Sequence, residues 1–501
     1  MAKNPAKKSG AKPAGSSSNT TPAKNRPAKS GGVKSVDGKS GAFTPAFRAG
    51  PLLEPLRKSF ASGVTRPLRW RLAQLEAMAR MLQENEGEFG RALQADLGKS
   101  PFETYLGEVG FILAEIRHAR HRLHRWMRPT RTSTPLMALP GRSRIVYEPK
   151  GVVLVLAPWN FPLQLSLGPM VGGLAAGNCV VLKPSELAPA TSGLLARLIP
   201  RYLSTDCVAV VEGDAKTAQG LLALPFDHVL FTGNGRVGRL VLEAAAKNLI
   251  PVTLELDGKS PVVVAADVHL KTAARRIVWG KFFNAGQTCI GPDYVLADHR
   301  IAADLLDEMK QAMEEMYGAD PGQTPDYCRI GHPAHYQRLV SLLKEGVVAA
   351  GGQCDPATRY IAPTLLTDPR PGSRLLTEEV FGPLLLLLPV EDMEAAIRYI
   401  NDRPKPLALY VFSRSKATVR QLVTRTSSGS VCVNDTLLQA VVSGLPWGGI
   451  GPSGMGAYHG HHGFLTFSHK KAVLTKTHWL DLPLRYPPYS LLKQKWLRRF
   501  L

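Results

Sequence analysis

Five short apolar runs constrain this chain more than any other feature. They begin at Gly151 (GVVLVLAPW), Asn178 (NCVVLKPS), Cys207 (CVAVVEG), His228 (HVLFTG) and Pro251 (PVTLEL), at intervals of 21 to 29 residues. Each is rich in Val and Leu and too short for an independent helix. The stretches between them carry helical periodicity, as at Val237, Leu240, Val241, Ala244 and Ala245. Strands apolar on both faces, alternating with helices at this interval, define βα units on a parallel sheet. A second series fills 260–435. Its strand candidates are Pro261–Ala265, Tyr294–Ala297, Leu384–Pro389 and Ala408–Phe412; its helix candidates are Leu270–Phe283, Ile301–Tyr317, His335–Glu345 and Met393–Asn401. Residues 53–128 read as amphipathic helices, with Leu72, Leu75, Met78 and Leu82 in one and Ile112, Ile116, Leu123 and Trp126 in another. Residues 135–150 read as a hairpin.

Composition narrows the class. The chain has 501 residues, 44% of them hydrophobic, enough to bury a core and too many for a wholly disordered protein. Six cysteines in that length exclude a disulfide-built scaffold. No apolar run reaches the roughly 20 residues of a membrane span. The net charge is +22, of which residues 1–42 carry +8. That segment is Lys, Pro, Ala, Gly and Ser with almost no large apolar side chain, so 1–45 is expected to be a disordered basic tail, and it lacks the apolar stretch of a secretory signal. The body is basic in its own right, which suits phosphates or an anionic surface without choosing between them.

Four places carry residue types suited to chemistry. Gly233-Asn-Gly235-Arg-Val-Gly238 follows a strand and opens a helix, as a pyrophosphate-binding turn does, although plain strand-to-helix turns share this composition. Cys289 lies in a small, polar, Gly-containing turn, unlike Cys179, Cys207 and Cys432, which read as core; Cys328 and Cys354 fall in loops with no obvious partner. Glu255 ends an apolar strand, where burial would raise its pKa and suit it to general-base work; a solvated strand-end acid is the alternative. Asn160 sits between Pro158's neighbours Ala157 and Trp159 and the Phe161-Pro162 pair, a rigid turn able to aim an amide at an oxyanion or merely to close a loop. His118, His121 and His124, and His459, His461 and His462, invite a metal reading. Arg117, Arg120, Arg122 and Arg125 around the first trio argue against it, and no metal site is assigned.

Taken together and in order, APWNFP (157–162), LKPSE (182–186), FTGNGRVG (231–238), LELDGKSP (254–261), NAGQTCI (284–290), EEVFGP (378–383) and LPWGGIGPSGMGAYHG (445–460) resemble the NAD(P)-dependent aldehyde dehydrogenases over roughly residues 53–485. The closing SGMGAYHG, FLTFSHKKAV and Arg485-Tyr-Pro-Pro look most like the class 3 branch, which acts on fatty, aromatic and coniferyl aldehydes. The resemblance implies an α/β fold with two Rossmann-like parallel-sheet domains and a small bridging, oligomerising element. The expected division is 46–258 for dinucleotide binding, including the 135–150 hairpin, 259–440 for catalysis, 441–470 returning to the cofactor domain, and 471–501 as an oligomerisation tail. It implies Cys289 as nucleophile, Glu255 as general base and Asn160 as oxyanion donor. Lys183 and Glu186 would hold the adenosine ribose, Gly233 and Gly238 the pyrophosphate turn, and Glu379 the nicotinamide ribose, with Phe381 and Trp159 beside the cofactor, NAD or NADP. The implied product is a carboxylic acid, formed through a thiohemiacetal and a thioester on Cys289.

The chain departs from the pattern at Asp257, where the family nearly always has Gly. A charge there is expected to crowd the cofactor and to raise the pKa of Glu255. Gln439 and Trp447 replace the His and Phe common in class 3 and are expected near the substrate mouth. The C-terminus places Leu492, Trp496 and Phe500 on one helix face, with Leu497 and Leu501, flanked by Lys493, Lys495, Arg498 and Arg499; this suits either peripheral contact with an anionic membrane or packing on a partner subunit. A homodimer and a cytoplasmic location, where thiols stay reduced, are expected, and nucleic acid is not an expected partner. Two other readings remain: a cofactor-independent thioester or ester hydrolase, should Asp257 block the cofactor, and a basic surface-binding scaffold.

Overall fold

The computed structural model describes residues 50–481 and 483–500. The Lys-rich 1–45 segment lies outside them, as does Leu501. Four helices open the described chain: α1 (Gly50–Ala61), α2 (Leu68–Glu84), α3 (Glu86–Leu97) and α4 (Gly110–Trp126). Leu75, Met78 and Leu82 of α2 and Ile112, Ile116 and Leu123 of α4 are wholly buried, as their spacing predicts.

The expected 135–150 hairpin is instead one long strand, β1 (Gly141–Pro149). It pairs on one side with the short Thr130–Thr132 and on the other with a strand more than 300 residues later. Alternation along Ser143–Glu148 identified the strand, but nothing local identifies so distant a partner.

The βα series forms as read. Strands β2 (Val152–Leu156), β3 (Cys179–Lys183), β4 (Val208–Val210), β5 (His228–Thr232) and β6 (Val252–Glu255) alternate with α5 (Gln164–Ala176), α6 (Pro189–Tyr202), α7 (Ala215–Leu222) and α8 (Gly235–Ala246). Every residue of β2, β3 and β5 is buried, which is why they read as unbroken apolar runs. The same holds for α5, apolar on all sides because it lies between the sheet and the α2–α4 layer. The sheet order is β6-β5-β2-β3-β4, all parallel, with the two-residue strand Gly454–Met455 antiparallel outside β6. From β2 the chain builds one side through β3 and β4, then crosses to build the other through β5 and β6. The carboxyl end of β2 is therefore the switch point, where an open α/β sheet leaves a crevice for ligands.

A second sheet holds β7 (Pro261–Val264), β8 (Tyr294–Asp298), β9 (Thr364–Thr367), β10 (Leu384–Val390), β11 (Ala408–Phe412) and β12 (Ser430–Val433). The order is β9-β10-β8-β7-β11-β12, parallel throughout, with Val347–Ala350 antiparallel at the β9 edge. Helices α9 (Leu270–Phe282), α10 (Ala302–Tyr317), α11 (Pro333–Leu343), α12 (Met393–Asn401) and α13 (Lys416–Arg425) connect its strands. Cys432 departs from its core reading: it lies half-buried on the edge strand β12, where one flank has no neighbouring strand among the described residues. Helix α14 (Gly460–Thr466) leads to β13 (Ser468–Lys476), the distant partner of β1, and α15 (Leu491–Phe500) ends the chain. No described helix is long and apolar enough to cross a membrane.

Leu154, wholly buried at the centre of β2, anchors the switch strand. Leu154→Ala leaves a cavity that is expected to destabilise the fold by about 2–5 kcal/mol, read as a lowered denaturation midpoint in urea.

Candidate active site

Trp159 and Asn160 emerge directly from β2 at the switch point. Asn160 is buried, and its amide Nδ2 donates to the carbonyl of Gln287 at 3.0 Å, two residues before Cys289. An amide carries two hydrogens, so one remains to be donated. The carbonyl of Asn160 is itself held, by Lys99 Nζ at 3.2 Å and Asn284 Nδ2 at 2.9 Å. Lys99 in turn pairs with Glu108 at 2.5 Å, both wholly buried, and Glu108 accepts the N–H groups of Leu163 and Gln164 at the start of α5. This brace was not visible in the sequence: Lys99 stands in an ordinary Gly-Lys-Ser turn, and Glu108 lies nine residues on.

The Cys289 turn is built by strain and held by polar contacts. Asn284 and Ala285 adopt left-handed backbone, φ 55° and 50°. Non-glycine residues there cost about 1–3 kcal/mol each and persist only when their surroundings fix them. Asn284 N–H donates to Glu103, its side chain bonds the Gln287 carbonyl, and Gln287 bridges Asn284 O, Arg329 O and the N–H of Gly331. Cys328, expected to have no partner, is buried here and donates its Sγ hydrogen to Glu103 Oε2 at 2.9 Å. Cys289 keeps part of its surface open. Burial first, then the charges of Glu379 and Glu255, push its thiol well above the ordinary value.

Glu255 ends β6, only 2% exposed, and neither carboxylate oxygen has a hydrogen-bond partner among the described residues. Burial alone raises its pKa well above the usual range, so it is no solvated strand-end acid. The expected influence of Asp257 on Glu255 is absent. Asp257 acts elsewhere: its Oδ1 accepts the N–H of Gly235 at 2.8 Å, in the first turn of α8, and its charge contributes to raising Glu379. Burial is the largest cause of the Glu379 shift, followed by Asp293.

The other expected residues line the carboxyl ends of the first sheet or face them. Lys183 ends β3, its Nζ 2.5 Å from Glu186 Oε2. Gly233 follows β5, and Asn234 caps α8 by accepting the Val237 N–H. A side chain at Gly238 would meet Leu256 Cδ2 at 2.6 Å, so this glycine lets α8 approach the sheet. Trp159 and Phe381 meet edge to face at 5.6 Å, with His335 against both. These features fit a dinucleotide: a lysine–glutamate pair at one strand end, a capped helix N-terminus at the next, and an aromatic wall. The N–H of Gly235 is taken by the Asp257 carboxylate, and that of Val237 by Asn234.

Gln439 is buried rather than placed at a mouth: its Nε2 reaches the hydroxyl of Tyr410, which donates to Ile290 O next to Cys289. Trp447 stacks on His459 at 5.1 Å, and Phe111 packs against the same ring at a tilt, 5.4 Å away. Burial lowers His459 to about 3, so it stays neutral. Among the described residues no group of His, Cys, Asp and Glu is arranged to hold a metal.

A partly open thiol, a buried unpaired carboxylate and a fixed amide at the crevice of a parallel α/β sheet define a covalent dehydrogenase of the dinucleotide-binding class. The aldehyde dehydrogenase family model matches residues 57–473. Mouse aldehyde dehydrogenase family 3 member A2 is 46% identical over 448 residues, covering 89% of this chain and 93% of the mouse protein. The dog dimeric NADP-preferring aldehyde dehydrogenase is 45% identical over 439 residues, 87% and 97% of the respective chains. The substrate-bound structure of Staphylococcus aureus AldH superposes with a TM-score of 0.87 at 40% identity, covering 89% of this chain and 98% of that one. The chain belongs to the aldehyde dehydrogenase family, and its activity is NAD(P)-dependent aldehyde oxidation. The hydrolase and scaffold readings find no support.

Two predictions follow from this geometry. A carboxyl group whose folded pKa exceeds its unfolded value keeps its proton in the native state after the unfolded chain has lost it; stability therefore falls as pH rises from about 4.5 toward the folded pKa. Glu255→Gln removes that loss. Its melting temperature is expected to match wild type near pH 5 and exceed it increasingly at pH 7 and 9. Asp257→Gly frees the Gly235 N–H and removes a negative charge; NAD is expected to bind about tenfold tighter by titration calorimetry, the scale of one charge-assisted hydrogen bond.

Proposed function

We propose that Cys289, Glu255 and Asn160 carry out the oxidation in the roles of nucleophile, base and oxyanion donor, on aromatic or medium-to-long aliphatic aldehydes. The observation that carries this reading is the bond from the Asn160 amide to the Gln287 carbonyl, which ties the switch-point loop to the nucleophile's own turn. An aldehyde has no leaving group but hydride, so the carbon must first become tetrahedral. Cys289 thiolate adds to it, and the second Asn160 hydrogen, with the Cys289 backbone N–H, stabilises the alkoxide. A bound nicotinamide, held by Glu379, Phe381 and Trp159, would supply the hydride acceptor, and loss of hydride from the adduct leaves a thioester on Cys289. Glu255, unpaired and with a raised pKa, takes the proton of the water that cleaves this thioester to acid and thiol.

Lys183 and Glu186 are assigned to the adenosine ribose, Gly233 and Gly238 to the pyrophosphate turn, and Glu379, Phe381 and Trp159 to the nicotinamide half. The aromatic wall of Phe111, Trp447 and His459 supports an apolar substrate. The division into cofactor, catalytic and oligomerising parts is supported by the three larger sheets, of six, seven and three strands. A homodimer is supported by the dimeric dog relative and by the edge strands β12 and β13, which lack a second neighbour among the described residues. The exposed Leu491, Leu492 and Trp496 of α15, with the basic residues beside them, support peripheral contact with an anionic membrane from a cytoplasmic location; the side chains of Phe500 and Leu501 lie outside the described ones.

The test is cofactor-reduction absorbance with benzaldehyde, coniferyl aldehyde, hexanal and decanal. Cys289→Ala is expected to abolish reduction with all of them. Asn160→Ala should lower kcat by 10²–10³, the scale of one oxyanion donor. Activity restricted to small polar aldehydes would overturn the substrate assignment, and full activity in Cys289→Ala the mechanism.

A further inference from the structure

A second concave site lies away from the catalytic crevice, where the carboxyl end of α4 meets β1 and α14. The cavity is about 400 Å³ and is lined by Arg122, Arg125 and Arg128, by His118 and His461, and by Trp126. No acidic side chain lines it. None of the three guanidiniums makes an ion pair or hydrogen bond with a described residue, whereas Arg120, on the same helix but outside the cavity, pairs with Glu76. Like charges brought together without a counterion repel one another, so three unpaired arginines around one hollow are a cost to the folded chain. The floor is ordered: Trp126 stacks on His461 at 5.5 Å and touches His118 at 5.6 Å, and Thr130 Oγ1 lies 3.0 Å from the Tyr147 hydroxyl.

Electrostatics within the cavity point the same way. His118 is held below its ordinary pKa by burial, then by Arg122 and His121. His461 is lowered by burial, then by His462, by Lys470 of β13 and by His118. The nearby carboxylate of Glu115 is spent on the Gly460 N–H and Ser443. An incoming dianion reverses these terms: it pairs with the forked guanidiniums and favours protonation of both imidazoles.

The geometry points to a binding site for a phosphate-bearing dianion, a phosphomonoester or pyrophosphate, at the α4–β1–α14 cavity. Its source is either a soluble phosphate compound or the headgroup of a phosphomonoester lipid. The size suits a phosphate with a small substituent, and the exposed arginines leave the mouth open to solvent.

The experiment is calorimetric titration of inorganic pyrophosphate into the enzyme already saturated with NAD, so that the pyrophosphate turn of α8 does not contribute. Saturable binding is expected, several-fold tighter at pH 6.5 than at pH 8. The double variant Arg122→Ser/Arg125→Ser should weaken it at least tenfold while NAD-dependent oxidation of hexanal persists, showing that the variant is folded. Arg80→Ser/Arg91→Ser removes the same charge from exposed positions elsewhere and should change binding less than twofold. No saturable isotherm, or equal weakening in both double variants, overturns the site. Sedimentation with phosphatidic acid vesicles separates the sources: loss in Arg122→Ser/Arg125→Ser assigns the lipid headgroup, and unchanged sedimentation alongside lost pyrophosphate binding assigns the soluble phosphate.

Discussion

The site depends on a buried ion pair that touches none of the three chemical groups. Lys99 and Glu108 lie wholly inside the protein, and each is spent on the loop after β2: the lysine on the Asn160 carbonyl, the glutamate on the N–H groups that open α5. Removing two charges from water is costly, and their mutual attraction rarely exceeds that cost by much. What the pair contributes is position. The loop leaves the central strand of the sheet at its switch point, where backbone polar groups have no ladder to join. Without the pair the N–H groups of Leu163 and Gln164 would be orphaned, and the Asn160 carbonyl would keep only one of its two donors, Asn284. Through Asn160 the constraint passes to Gln287, and from Gln287 to the strained turn that presents Cys289.

The same logic accounts for the left-handed residues Asn284 and Ala285. A regular helix end would carry Cys289 onward along α9; the two αL residues turn the chain sharply instead. Their strain is tolerated because Glu103, Gln287 and the Asn160 carbonyl engage Asn284 on three sides. Four segments distant in sequence, around residues 99–108, 160–164, 284–289 and 328–331, thus form one hydrogen-bonded unit. Rigid positioning of this kind is what a thiol and an oxyanion donor need to act on the same carbon.

How much of this was legible follows from range. Strands buried on both faces announce themselves as apolar runs, so the first sheet and four strands of the second could be read, whereas Thr364–Thr367 and the half-buried edge strand Ser430–Val433 could not; Cys289, Glu255 and Asn160 were candidates by their surroundings, and the ordered motifs of the family resemblance gave them their roles. Pairing between distant segments could not be read. The partner of β1 is β13, Cys328 meets Glu103 across 225 residues, and Lys99 serves a loop 61 residues on. Nor could the object of Asp257 be read: the sequence places it two residues from Glu255, but β6 ends at Glu255 and the chain has left strand geometry by Asp257. Its carboxylate therefore leaves the base alone and reaches the helix that follows the neighbouring strand.

That placement bears on how the thiol is activated. Glu255 and Glu379 both push Cys289 toward its protonated form, and Asp257 reinforces Glu379. The cations nearby do not offset this: Lys259 and Lys281 are themselves lowered by burial, and Asp293 engages Lys281. Reactivity follows the thiolate, so burial and these carboxylates hold Cys289 toward its less reactive, protonated form. A cationic ring bound among these acids would lower the thiol and both carboxyl groups together.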